Sequence, residues 1–344
     1  MKLGITGLAG SGKTTVFEAL TGEFSETGGK TDNRLGTIRV PDPRIDRLSD
    51  IFKPRKTIYA QVEYFLPGKS GQKKESGKDD GSWTPVRDAD ALIHVVRNFS
   101  LFGLSEPNPQ KDFVQLDQEL ILSDLTVAEK RLERMTAEAH KVKKPDPEEQ
   151  ALVEECHGLL EGETPLRRHP DLASAPKLRG YAFLSAKPML VLFNNTDEDD
   201  APPSSDAAYS GENCMVIRGK LEQELAKMTE DEAAELLAEF DISASATDRV
   251  VKQSYALLGL ISFFTVGEDE VRAWTIKRGT SALDAAEAIH SDIKKGFIRA
   301  EIISCDDFLA AGSMAAAKKA GKFRLEGKTY EVQDGDIINF RFNV

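Results

Sequence analysis

Gly7-Leu8-Ala9-Gly10-Ser11-Gly12-Lys13-Thr14 decides how this chain of 344 residues is read. It follows a short apolar opening, Met1-Lys2-Leu3-Gly4-Ile5-Thr6, and precedes Thr15-Val16-Phe17-Glu18-Ala19-Leu20, whose apolar spacing predicts an amphipathic helix. Strand, glycine loop and helix in that order are the context that G-x-x-x-x-G-K-[ST] requires. Gly7, Gly10 and Gly12 let the backbone turn tightly and bring its N–H groups within reach of phosphate oxygens. The positive end of the following helix then favours the anion. Lys13 is the candidate catalytic residue, reaching the β/γ-phosphates, and the Thr14 hydroxyl is the candidate Mg²⁺ ligand. The binding set for a nucleoside triphosphate is therefore Gly7, Leu8, Ala9, Gly10, Ser11, Gly12, Lys13, Thr14 and Thr15.

Outward from the loop, composition sets the class. A content of 40% hydrophobic and 30% charged residues is that of a soluble globular chain, and its length suggests two or three domains. No apolar run is long enough to cross a bilayer, and the N-terminus enters a strand directly, so no membrane segment or leader peptide is expected. Cys156, Cys214 and Cys305 are odd in number and far apart, which fits a reducing cytoplasm. The five histidines lack metal-ligand spacing. A net charge of −12 means that a nucleic-acid partner would have to meet a local basic patch. Lys277-Arg278, Lys294-Lys295, Lys318-Lys319 and Lys322-Phe323-Arg324 are the candidates, although isolated pairs of this kind are usually solvated surface.

Strand-like runs at 35–40, 57–66, 89–99, 187–193 and 214–217 alternate with helical patterns, so a mostly parallel α/β sheet is expected. Between them, Leu116, Leu120, Ile121, Leu125, Ala128, Leu132 and Met135 mark one long amphipathic helix, and Glu148 to Gly162 a second. The pair reads as a helical hairpin inserted into the α/β domain. Thr229-Glu230-Asp231-Glu232 is a capping box. From Ile261 the chain turns to short strands, and Asp334-Gly335-Asp336 between alternating runs signals a hairpin.

The last quarter of the chain resembles the YchF/Obg-like ATPase family, whose final domain is a TGS domain. The residues that carry this are Leu258 to Gly267, Val271 to Thr280, Ala285 to His290, Lys295 to Glu301, Gly312 to Gly321 and Val332 to Asp336. Val40-Pro41-Asp42-Pro43-Arg44, Ala91 to Arg97 and the helix from Leu120 to Leu132 extend the likeness over most of the length. The resemblance implies a P-loop domain (1–111 and 181–258), a helical hairpin (112–180) and an α+β, ubiquitin-like TGS domain (259–344). It also implies a preference for ATP within a GTPase-like superfamily, and association with the ribosome or RNA.

The chain reads as a divergent member. Where the family carries Asp-x-x-Gly, with the Asp holding Mg²⁺ through water, this sequence has Val62-Glu63-Tyr64-Phe65-Leu66-Pro67-Gly68, so Phe65 or a neighbour replaces the Asp. Glu63 is close in sequence, and strand alternation decides which way it faces. A polar loop, 69–85, replaces the family's longer segment, and Thr27 and Thr31 are the candidates for the switch threonine. Loss of these groups would remove positioning and charge neutralisation, which supply most of the acceleration in phosphoryl transfer. Guanine readers carry Asn-Lys-x-Asp, the lysine stem packing on the base, and the family carries Asn-x-x-Glu. This chain has Asn194-Asn195-Thr196-Asp197 followed by Glu198, which makes Asn194 and Asp197 the candidate base readers. Three readings follow: a slow ATPase, a nucleotide-binding module without hydrolysis, and a GTPase.

Overall fold

A computed structural model of the chain is described for residues 1–24, 33–68, 83–139, 145–204, 207–239 and 245–343. In chain order its strands are β1 (Lys2–Thr6), β2 (Arg34–Arg39), β3 (Lys56–Ile58), β4 (Gln61–Leu66), β5 (Ala91–Asn98) and β6 (Met189–Asn195), then β7 (Asn213–Ile217), β8 (Leu260–Val266), β9 (Glu270–Lys277), β10 (Phe297–Ser304), β11 (Arg324–Glu326) and β12 (Asp336–Phe342). They form two six-stranded sheets, ordered β2-β4-β1-β5-β6-β7 and β11-β10-β12-β8-β9-β3. The chain divides into two compact units, one of Met1–Thr37 with Glu63–Val250, the other of Ile38–Val62 with Val251–Val344. The expected mixed α/β architecture is therefore present.

In the first unit, β1 pairs in parallel with both β4 and β5, and β5, β6 and β7 continue in parallel. The strands after β1 thus fall on both its sides, and in open α/β sheets ligands bind at the carboxyl ends of the strands where the order reverses. One face is sealed by Phe65, Leu92, Val96, Phe113, Leu120, Val191 and Phe193, among others. Phe113 belongs to the helix Pro109–Ala139, about 46 Å long at 1.5 Å per residue. That helix packs on Pro147–Glu161, which starts at Pro147 because Asp146 caps it by accepting from Glu148 N at 3.0 Å. Ala128, Met135, Val153, Cys156 and Leu160 fill the seam, as the apolar spacing predicts. At the base of the pair, the buried Asp124 carboxylate accepts from Leu184 N (2.9 Å), Ser185 N (2.7 Å) and Arg87 (3.2 Å).

In the second unit, Ile261, Phe263, Ile276, Ala285, Ala300, Ile302, Ile338 and Phe340 form a core beneath the helix Ala282–Ile289. The segment 38–62 completes this unit. The Arg44 guanidinium lies 5.3 Å from the Phe264 ring, Phe52 stacks on Phe308 at 5.4 Å, and β3 pairs in parallel with β9. Partial burial works against the Arg44 charge, but hydrogen bonds to Asp42 and Asp334 outweigh it and hold its pKa above the ordinary value.

Two expectations change. The β-rich run from Thr57 to Leu66 is two strands in different sheets, with a break at Tyr59-Ala60 where Ala60 O accepts from Val40 N at 2.8 Å. The Asp334-Gly335-Asp336 turn forms no hairpin. The run before it makes only an isolated bridge, Ser281 to Glu331, while β12 pairs with β10 and β8. The turn is held by other partners: Gly335 N donates to Ser262 O, Ser262 N to Asp334, and Gln333 N to Asp336.

Candidate functional site

The phosphate loop leaves β1 as the glycine spacing predicts. Gly7, Gly10 and Gly12 have φ values of 148°, 79° and 91°, a region that side-chain-bearing residues rarely adopt. A Cβ on Gly7 would overlap Val95 O, and one on Gly12 would overlap Asn194 Nδ2. The helix Lys13–Thr21 begins at Gly12 with no side-chain cap, so its first N–H groups keep their capacity to bind an anion. Lys13 Nζ folds back to donate to Gly7 O and Leu8 O, both at 2.7 Å. The Ser11 hydroxyl is buried with no hydrogen-bond partner among the described residues. A cradle that side chains would fill, uncapped helix amides and an orphaned buried hydroxyl together fit a phosphate group.

Asn194, at the end of β6, reaches the loop. Its Nδ2 donates to Ser11 O at 3.1 Å and its Oδ1 accepts from Gly219 N at 3.0 Å. The side chain is buried and serves as a strut between the phosphate loop and the helix Gly219–Leu225. Asp197 stands further out, half-exposed, with Oδ1 accepting from Leu221 N at 3.1 Å. The structure thus joins Asn194 directly to the loop and Asp197 to the same helix.

Gly219 is the residue that sequence reasoning missed. A Cβ there would lie 2.6 Å from Asn194 Oδ1, so only glycine lets the strut close. Its signal was a glycine set between the last strand and a helix. Glu18 adds a second tie, accepting from Gln223 of that helix and from Arg34 at 2.9 Å.

The register of β4 places the remaining candidates. Lys2 pairs with Glu63, Leu3 with Tyr64 and Gly4 with Phe65. Glu63 is therefore level with Lys2, four residues or about 13 Å before the end of β1, and cannot reach the loop. Phe65 is buried in the apolar cluster with Leu92 and Phe113. No group of three His, Cys, Asp or Glu residues suited to a metal occurs among the described residues. Thr27, Thr31 and most of the polar loop, 69–82, lie outside the described residues.

Four of the eight basic candidates at the C-terminal end carry acidic partners. Lys294 pairs with Asp284 and Glu287, Lys295 with Asp292, Lys322 with Asp307 and Arg324 with Asp336. At these four positions the charge of the candidate basic face is balanced by acidic neighbours.

Comparison with known proteins agrees with this geometry. Residues 260–343 match the YchF-GTPase_C family model, described as a protein of unknown function (DUF933). The chain is 38% identical to "Ribosome-binding ATPase YchF" of Bacillus subtilis, covering 99% of both chains. It is 36% identical to the protein of the same name from Escherichia coli, covering 100% of this chain and 99% of the other. The solved structure of the Schizosaccharomyces pombe YchF GTPase superposes with a TM-score of 0.83 at 27% identity, covering 99% of this chain and 97% of that one. With its phosphate loop, its two sheets and this likeness along the full length, the chain belongs to the YchF family.

Proposed function

We propose that this chain is a cytoplasmic P-loop protein that binds a nucleoside triphosphate, ATP in preference to GTP, hydrolyses it slowly and acts as a ribosome-associated switch. The observation that carries the reading is the intact cradle from Gly7 to Thr15, with Lys13 and the uncapped helix amides at one point. The relatives named as ribosome-binding ATPases support the partner and the activity. No helix among the described residues is long and apolar enough to cross a membrane.

In this reading Lys13 exchanges the Gly7 and Leu8 carbonyls for phosphate oxygens, and the loop amides bind the remaining charge. Thr14 would hold Mg²⁺ on the protein side, where the ion neutralises charge developing on the phosphates. Asn194 keeps the loop in register with the base side, and Asp197 reads the base. Slow hydrolysis follows from the run Val62 to Gly68, in which Phe65 or a neighbour replaces the metal-organising Asp of the family's Asp-x-x-Gly. The same missing Asp favours a second reading, a nucleotide-binding module without hydrolysis.

Titration with ATP and GTP in competition, followed by single-turnover hydrolysis beside a Lys13→Ala control, tests the proposal. The expected outcome is saturable binding that favours ATP, with hydrolysis slow but above the control. Hydrolysis equal to the control would leave the binding module. A large preference for GTP would reverse the assignment of the base.

A further inference from the structure

The helix Glu230–Glu239 follows the helix Gly219–Leu225 after a short turn and lies in the same compact unit as the phosphate loop. It has 10 residues, and a helix of that length is marginal in water unless an apolar face packs on something else. Such a face exists: Ala233, Leu236 and Leu237 recur at i, i+3 and i+4. It is only partly covered. None of the side chains described from Asp231 to Ala238 is buried, whereas the two hairpin helices bury Ala128, Met135, Val153, Cys156 and Leu160 in their seam. What fixes this helix is its start. Thr229 N and Thr229 Oγ1 both donate to Glu232 at 2.9 Å, Glu232 N donates back to Thr229 Oγ1 at 3.4 Å, and Ala233 N donates to Thr229 O at 2.9 Å. A helix held by its cap, with its apolar stripe half open, has room for a further element.

The opening has both a shape and a charge. Met228, Glu232, Glu235 and Leu236 line a cavity of about 300 Å³ that faces solvent, and Met228 is 37% exposed. Methionine at such a place adapts to the side chain that enters. Asp231, Glu232 and Glu235 are exposed on the same helix, whose sequence, Glu230-Asp231-Glu232-Ala233-Ala234-Glu235-Leu236-Leu237-Ala238-Glu239, holds no basic residue. The charge decides between occupants. An acidic rim repels the phosphates of RNA and of an anionic bilayer, and it repels a second copy of a chain whose net charge is −12. It attracts a basic segment of protein.

We propose that the groove between Met228 and Leu236 is a docking site for a basic amphipathic helix of a partner protein. Apolar side chains of that helix, spaced at i, i+3 or i+4, enter the cavity and complete the stripe of Ala233, Leu236 and Leu237. Lysines or arginines flanking them meet Glu232 and Glu235, which speeds encounter and sets the orientation. The cavity is lined by none of the residues Gly7 to Thr15, Asn194 or Asp197, so docking stands whether or not the nucleotide reading holds.

The test is fluorescence anisotropy of the full chain with a labelled peptide of leucine and lysine whose leucines follow helical spacing. Two control peptides accompany it, one of the same composition scrambled to break the stripe, the other with glutamate in place of lysine. Wild type should bind the leucine–lysine peptide saturably and roughly tenfold more tightly than either control. Met228→Ala and Glu235→Lys should each weaken that binding roughly tenfold. Both residues are exposed and lie outside the capping box, so folding is retained, which thermal melting checks. Wild type that does not bind the peptide, scrambled peptide that binds equally, or binding that neither substitution weakens overturns the proposal. So does a wild-type dimer that Met228→Ala dissociates, or attachment to anionic vesicles that the same substitution abolishes, since the groove then serves a second copy or a membrane.

Discussion

His94 shows what a single residue contributes when its surroundings are apolar. It sits on β5 level with Thr6, is wholly buried, stacks on Phe113 at 5.5 Å and has no hydrogen-bond partner on either ring nitrogen among the described residues. Burial, reinforced by the Arg167 and Lys13 charges, pushes its pKa down from 6.5 to about 3. The folded chain therefore keeps the ring neutral, while the unfolded chain protonates it below 6.5. Stability linked to His94 is complete above that pH and is lost on acidification, by about 1.4 kcal/mol per pH unit. Urea unfolding at pH 7, 6 and 5 should show wild type losing stability more steeply than His94→Leu. Parallel pH profiles would contradict this account.

At the scale of the element, β4 decides what the phosphate loop can do. Its pairing with β1 turns Phe65 into the apolar cluster and leaves Glu63 at the far end of the strand. A carboxylate near the loop in sequence is thus distant from it in space. Phe65→Asp should cost about 3 kcal/mol or more in urea unfolding, because it removes a buried ring and places a charge among Leu92, Val96 and Phe113. Glu63→Gln should leave nucleotide affinity and its dependence on Mg²⁺ unchanged in titrations with and without a chelator. A change in either would place Glu63 in the site after all.

Over the whole molecule, the compact units do not follow chain order. Ile38–Val62 packs with Val251–Val344, and the tie from Arg44 to Asp334 joins residues 290 positions apart. Asp334 also accepts from Ser262 N, so the same carboxylate holds β8, the turn and Arg44. Arg44→Ala should therefore speed amide hydrogen exchange together in Ile38–Val62, β8 and the turn Gln333–Asp336. Exchange that rises only beside residue 44 would show the tie to be incidental.

The amino-acid sequence by itself determined the phosphate cradle, the hairpin helices and the capping box. Thr229 N donates to Glu232 and Glu232 N to Thr229 Oγ1, as the capping-box spacing requires. These features are legible because their physics is local: glycine conformations, apolar spacing along one helix, and a cap three residues from its partner. Gly219 as the seat of Asn194, Phe65 turned to the core, the failed hairpin at Asp334 and the placing of 38–62 were decided only by the tertiary structure. Each depends on strand register or on hydrogen bonds between distant residues. A one-residue change in register reverses which side chains face the core, and no local pattern carries that information.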